Sequence, residues 1–257
     1  MQTGRCQAGS VQSWSDSSAH DWLSRATVVL VFSLLVLASV HGALQVALDW
    51  EHQPLDRTLL QIAARASNAL FLALVAATAV TRLRPISKAQ GIEPRLSALL
   101  GTFLLMSLAL LPRAELPPIA LAISSALVMI GMSLSFLVLR WLGKSFSIMA
   151  EARRLVTHGP YAIVRHPLYI CEEVAVIGML IQVISPLALL IVLAHALLQF
   201  RRVLNEEKVL RATFDDYDDY AARTPRLIPA RQLWQRATAR VPISREHFAR
   251  IESPSAS

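Results

Sequence analysis

The stretch YICEEVAVIGMLIQVISPLALLIVLAHALLQF, Tyr169–Phe200, decides how the chain must fold. It is apolar nearly throughout, too long for one bilayer crossing, and interrupted at Ser185-Pro186. A crossing helix needs about 20 residues, and proline suits the start of a helix rather than its interior. The spacing therefore predicts a hairpin of two short helices turning at the proline. Four apolar blocks precede it, Ala26–Leu48, Leu59–Thr81, Leu96–Leu111 and Ile119–Leu142, the last after the helix-starting pair Pro117-Pro118. The first block is long and more spans follow, so it reads as a retained span rather than a cleaved leader. The expected fold is all-α: a polytopic membrane bundle of about six transmembrane helices, closed by a cytoplasmic amphipathic helix.

Composition alone is only suggestive, because 54% of the 257 residues are hydrophobic and soluble domains come close to that. Distribution carries the argument: the apolar residues form blocks and the charges, 17% of the chain, fall between them. The loop holding Arg82, Arg84, Lys88, Glu93 and Arg95 nets +3, and the one holding Arg140, Lys144, Glu151, Arg153, Arg154 and Arg165 nets +4. The loop of Asp49, Glu51, Asp56 and Arg57 nets −2. Basic loops stay cytoplasmic, so this alternation predicts both chain ends and both basic loops on the cytoplasmic side. The overall charge of +7 is thereby assigned to membrane lipid headgroups, and no nucleic-acid-binding motif accompanies it. Cys6 and Cys171 make neither a metal-spaced pair nor a disulfide framework, so no metal site is expected.

Four regions follow from this reading. Residues 1–22 are polar and expected to be poorly ordered, 23–143 hold the first four spans, 144–229 the functional core, and 230–257 a basic tail. Trp234 and Phe248 suit that tail to a headgroup layer, and its composition equally suits solvent.

Two polar segments border the hairpin. The first, LVTHGPYAIVRHPLY (Leu155–Tyr169), breaks at Gly159-Pro160 and brings two tyrosines, Arg165 and His166 to one turn. Polar side chains beside lipid usually have a task, although an interfacial belt of tyrosines would use the same residues. The second, RRVLNEEKVL (Arg201–Leu210), sets Arg202 and Glu206 four apart on one helix face, with Glu207 about 100° round. An exposed pair of this kind contributes only about 0.3–0.5 kcal/mol. Beside the tyrosine-histidine turn, however, an acid and a base suit a zwitterionic ligand. Val203, Leu210, Phe214 and Tyr217 give this helix an apolar face as far as the Thr224-Pro225 break. Glu172 and Glu173 begin the hairpin, where acids favour the positive end of a helix, or one of them borders the pocket. His195 and Arg65 read as packing or interfacial residues.

Together LVTHGPYAIVRHPLY and RRVLNEEKVLRATFDDYDDYAARTPRLIP (201–229) resemble the carboxyl-terminal half of the isoprenylcysteine carboxyl methyltransferase and phospholipid methyltransferase superfamily. The shared pattern is Gly-Pro-Tyr, Arg-His-Pro-x-Tyr, Arg-x-x-x-Glu-Glu and a closing Pro-Arg-Leu-Ile-Pro. The likeness covers about Leu155 to Pro229, and the first four spans match only in being hydrophobic. It implies a membrane methyltransferase dependent on S-adenosyl-L-methionine, with a cytoplasm-facing pocket closed by the helix after the hairpin. Carried onto this chain, Leu155, Val156, Tyr161, His166, Pro167, Leu168 and Tyr169 would surround the cofactor, and Glu206 would hold its methionine ammonium. Arg202 would orient the methyl acceptor. An amine acceptor must lose a proton, so on chemical grounds it would need an acid–base partner such as Glu207 or Glu173. Departures stand at Cys171, often Gly in the family, at Phe214-Asp215, often Phe-Gly, and at Arg153, a His in eukaryotic carboxyl methyltransferases. They bear on the acceptor more than on the cofactor. The expected acceptor is lipophilic or lipid-attached. Phosphatidylethanolamine N-methylation, an NADPH-dependent sterol-type reductase and a non-catalytic scaffold are the alternatives.

Overall fold

The computed structural model describes residues 12–49, 51 and 54–228, with side chains from Trp22 onward. Expectations for Cys6, residues 1–11 and the tail 230–257 lie outside the described residues. The helices are α1 (Gln12–Leu48), α2 (Leu55–Thr81), α3 (Glu93–Phe103), α4 (Pro118–Leu142), α5 (Pro167–Gln182), α6 (Pro186–Thr213) and α7 (Tyr217–Arg223). A 3-10 helix, Leu104–Leu110, prolongs α3. The protein is an all-α membrane bundle. Leu30, Leu34, Leu37, Leu44, Leu70, Leu190, Leu193 and Leu197 are exposed, as lipid-facing side chains are in a bundle without water around its waist.

Among the described residues five helical stretches, Trp22–Leu48, Leu55–Thr81, Glu93–Leu110, Pro118–Ser145 and Pro186–Thr213, are long and apolar enough to cross a membrane. The sixth expected crossing corresponds to α5, whose 16 residues reach about 24 Å at 1.5 Å per residue. That is short of a hydrocarbon core of about 30 Å. The hairpin turns where the proline predicted, with Ser185 capping α6 through its side chain on the Ala188 N–H.

Two boundaries differ from expectation. α1 starts at Gln12 rather than near Ala26. The amphipathic helix expected after Phe200 is no separate element: α6 runs unbroken from the membrane hairpin to Thr213, and only the chain at Phe214–Asp216 breaks it before α7. With no proline or glycine between Leu187 and Thr213, nothing in that stretch interrupts the backbone ladder.

Glycine governs how closely the hairpin approaches the earlier spans. A Cβ at Gly131 of α4 would lie 2.5 Å from the Ala175 nitrogen of α5, and one at Gly178 of α5 would lie 2.7 Å from the Ser124 carbonyl oxygen. The Ser124 hydroxyl also donates to the Gly178 carbonyl at 2.8 Å. α5 is thereby held along α4, whereas α6 packs along α3. The two hairpin arms diverge, and a cavity lies between them.

The two basic loops meet. Ser87–Lys88 (β1) and Glu151–Ala152 (β2) pair antiparallel, Ser87 opposite Ala152. Leu83 N–H also donates to the Lys144 carbonyl at 2.9 Å. Both loops therefore lie at one end of the bundle, the geometry their matching charge predicted. At the opposite end the Ala114 N–H donates to the Gln182 carbonyl that ends α5.

Candidate active site

A cavity of about 650 Å³ opens between the hairpin arms and runs along α2 and α4. α6 contributes His195, Gln199, Arg202, Glu206 and Leu210, a succession of three and four residues that marks one helix face. α5 contributes Leu168, Tyr169, Glu172, Val176 and Met179 by the same periodicity, and its cap residue Val183 continues the lining. The connection before α5 adds Leu155, Val156, Tyr161 and His166.

Gly159 makes that connection possible. Its φ of +63° is a left-handed conformation open to glycine, and Trp141 packs where a Cβ would stand. The chain then turns through a 3-10 helix, Gly159–Ala162, and buries Tyr161. Proline at position 167 starts α5 and leaves His166 as its cap residue. Tyr161, Arg165 and Tyr169 thus do not share one continuous helix, yet the turn still brings Tyr161 and Tyr169 to the same cavity.

The polar contacts cluster at the end of the cavity nearest the basic loops. Tyr169 donates its hydroxyl to Glu206 Oε1. The Arg202 guanidinium lies 5.2 Å from the Tyr169 ring centroid, a cation–π arrangement. Arg202 is buried and donates to Gln199 Oε1 at 2.7 Å and to the Ile148 carbonyl at 3.2 Å. His166 is buried, stacks on Tyr169 with ring centroids 5.8 Å apart, and sets Nδ1 3.8 Å from Glu206 Oε2. Gln199 also donates to Glu172 Oε2 at 3.2 Å.

Eight of the ten residues singled out from sequence line this cavity: Leu155, Val156, Tyr161, His166, Leu168, Tyr169, Arg202 and Glu206. Pro167 does not line it; the residue is buried at the first position of α5, where it sets the helix start. Glu207 does not line it either, although it was singled out as a possible acid–base partner. Its carboxylate turns away into a cluster of cations, accepting from Arg226 at 2.7 and 3.0 Å, with His166 Nε2 at 3.2 Å and Arg165 at 3.4 Å. A carboxylate so surrounded is held ionised and has no lone pair aimed at an acceptor.

That cluster closes the site. The Arg165 and His166 N–H groups donate to the Pro225 and Arg226 carbonyls at 2.9 and 3.2 Å. Tyr220 of α7 donates its hydroxyl to the Tyr161 carbonyl at 2.7 Å. Burial pushes Tyr220 up to about 12, with Tyr217 adding to it, so the donating proton is retained at neutral pH. Burial, then the Glu206 carboxylate, likewise raises the Tyr161 hydroxyl.

Sequence reasoning overlooked Gln199 and left Glu172 between the positive end of the helix and the border of the pocket. Glu172 lies beyond the first turn of α5, which contains no acid, so the helix dipole does not account for it. Gln199 was legible as the residue one turn before Arg202 on the same face. His195 and Glu173 approach to 3.2 Å, without hydrogen-bond alignment.

Residues 123–212 match the Isoprenylcysteine carboxyl methyltransferase (ICMT) family. The resemblance carried by the two motifs is borne out over that ICMT stretch, which contains the hairpin, the turn and the Arg202–Glu206 face. The chain is also 38% identical over 86 residues to the nickel-cobalt-cadmium resistance protein NccN of Alcaligenes xylosoxydans xylosoxydans, covering 33% of this chain and 40% of that one. It is 32% identical over 109 residues to the cobalt-zinc-cadmium resistance protein CzcN of Cupriavidus metallidurans, covering 42% and 50%. The chain thus spans half or less of the curated relatives it matches.

Proposed function

We propose that the protein is an S-adenosyl-L-methionine-dependent methyltransferase whose acceptor is lipophilic or lipid-attached, with its site at the cytoplasmic face of the membrane. The observation that carries this reading is the convergence of the two motif segments, 37 residues apart at Tyr169 and Glu206, on one end of one cavity. The donor set suits the cofactor. Glu206 offers a carboxylate for an ammonium, and the Tyr161, His166 and Tyr169 rings offer flat surfaces for a nucleoside. Ser145 Oγ and Arg202 Nε are buried beside the cavity without a hydrogen-bond partner among the described residues, so polar demand remains for a ligand.

When bound there, the cofactor would supply an activated methyl group. The protein's own part is positioning and exclusion of water. Arg202, fixed by Gln199, the Ile148 carbonyl and the Tyr169 ring, can orient an anionic acceptor without changing rotamer. A carboxylate acceptor needs no base. Glu207 is committed to Arg165, His166 and Arg226, so an amine acceptor would have to give its proton to another carboxylate, such as Glu172, which lines the cavity. The buried Arg202 cation at the same end favours the carboxylate reading. Apolar lining by Phe71, Val75, Leu105, Met132 and Val176 gives a hydrocarbon chain a path away from the polar end.

Calorimetry with S-adenosylhomocysteine and NADPH on purified protein tests the reading. Binding of the former is expected, and tighter NADPH binding would transfer the site to a reductase. Mass spectrometry of membranes with and without the protein then separates methyl esters from N-methylated lipids. The relatives' names add a setting rather than an acceptor. If the protein supports tolerance of those metals through a methylated product, Arg202→Ala must lose tolerance and methyl transfer together.

A further inference from the structure

The cavity has a second end. α2 lines it with Gln61, Arg65, Asn68, Leu72 and Val75, one helix face that advances about 21 Å over 14 residues. Arg113 lines it too, and its neighbour Ala114 is bonded to Gln182, the last residue of α5. Tyr169 lies at the opposite end of the same helix, about 20 Å away by helix rise. Arg65 and Arg113 therefore face the cavity far from Arg202. They also share a second concavity, beside Gly42 and Gln45 of α1.

This pair is costly without a ligand. Arg65 belongs to a membrane span, where ionisable side chains are rare and normally paired. Among the described residues neither arginine forms an ion pair or a side-chain hydrogen bond. The charged neighbour that acts on Arg65 is Arg113, of like sign. Asp49 stands at the same opening and has an interaction of its own. α1 accommodates the arrangement, since a Cβ at Gly42 would collide with Arg65 Nη1. Two guanidinium forks at one opening match the planar, bidentate geometry of a phosphate or carboxylate. Between them and Arg202 the lining is hydrocarbon: Phe71, Val75, Leu105, Leu108 and Met132.

We propose that Arg65 and Arg113 form an anion site at the far mouth of the cavity, holding the phosphate or carboxylate of a membrane amphiphile whose chain occupies the apolar waist. The site is independent of methyl transfer: it needs only the cavity, the two cations and the hydrocarbon lining. Its occupant fixes how much of the waist is left for an acceptor entering from the other end.

The test uses the full chain in nanodiscs of phosphatidylcholine, with phosphatidylglycerol or inorganic phosphate added, read by thermal unfolding and by native mass spectrometry of retained lipid. Phosphatidylglycerol is expected to be retained and to raise the midpoint, whereas inorganic phosphate leaves it unchanged. Arg65→Gln should weaken phosphatidylglycerol retention about tenfold, the loss of one charge-assisted contact. Arg65→Lys, which keeps the charge, should recover part of it. Arg113→Gln, on an exposed loop, gives the same reading should the membrane variant fail to fold. Equal retention by both glutamine variants and the parent overturns the proposal, because the cytoplasmic basic loops would then be the binding surface. A full shift from inorganic phosphate alone also overturns it, leaving a small-anion site with no lipid.

Discussion

Replacing Glu206 with Gln removes one charge from the cavity and changes its shape very little. Oε1 survives as an amide oxygen able to accept from Tyr169, so the turn and α6 stay linked. What disappears is the negative charge 3.8 Å from His166 Nδ1 at the polar end of the cavity. Hydrogen bonds to a charged group contribute about 1.5–3 kcal/mol, and neutral ones about 0.5–1.5 kcal/mol. The difference, about 1–1.5 kcal/mol, corresponds to roughly tenfold in affinity for a ligand carrying an ammonium. The side chain is 22% exposed, so solvent screens the carboxylate only in part. Calorimetric titration with S-adenosylhomocysteine should therefore show about a tenfold rise in Kd for Glu206→Gln, with an unchanged unfolding midpoint. A Kd within twofold of the parent refutes the assignment of Glu206 to an ammonium.

Further outcomes follow from neighbouring contacts. Glu207→Gln should lower stability rather than cofactor affinity at saturating ligand, because it strands Arg165, His166 and Arg226 around a neutral amide; breaking a buried pair costs up to about 3–5 kcal/mol, and the half-exposed Arg226 moderates this. Thermal unfolding checks it. Gly178→Val should separate α5 from α4 and abolish a stable fold, since even a Cβ would sit 2.7 Å from the Ser124 oxygen, and yield of monodisperse protein reports the effect. Tyr220→Phe removes the bond to the Tyr161 carbonyl, at a cost of about 1 kcal/mol. In the parent the Tyr220 hydroxyl titrates near 12 when folded and near 10 when unfolded. Its contribution is complete below pH 10 and is lost as pH rises through 12, so Tyr220→Phe should flatten the alkaline unfolding profile between those values.

The hairpin and the shared end of the two basic loops were legible because each depends on a local signal: a proline in an apolar run, and charge alternation between spans. The cavity-facing role of Arg202 and Glu206 was legible for the same reason, since their spacing of four holds on any helix. Glu207 was not, because its task is set by Arg165 and Arg226, which reach it only through the return of the chain after α7. Glu172 was left between two readings for a related reason. Which acid belongs to a first turn depends on where the helix starts, and α5 starts at Pro167, five residues before it. Arg65 carried a signal, a charge within a span, but its relation to Arg113 depends on the packing of α2 against the segment after α3.

Adjacent glutamates divided between two environments place a demand on α6. A helix rotates about 100° per residue, so Glu206 can face the cavity only while Glu207 faces the Arg165–Arg226 cluster. The ionic cluster therefore fixes the rotation of the whole α6 helix, including His195, Gln199 and Arg202 further along the same face. His166 reads that rotation directly: its Nε2 lies 3.2 Å from Glu207 while its Nδ1 lies 3.8 Å from Glu206. A one-residue insertion at the Phe200–Arg201 junction would turn everything after it by one step, sending Glu206 toward the Arg165–Arg226 cluster and bringing Asn205 to the cavity face in its place. If the site depends on register, that insertion must eliminate S-adenosylhomocysteine binding. Insertion of one residue in the α5–α6 turn, before the helix begins, must be far better tolerated.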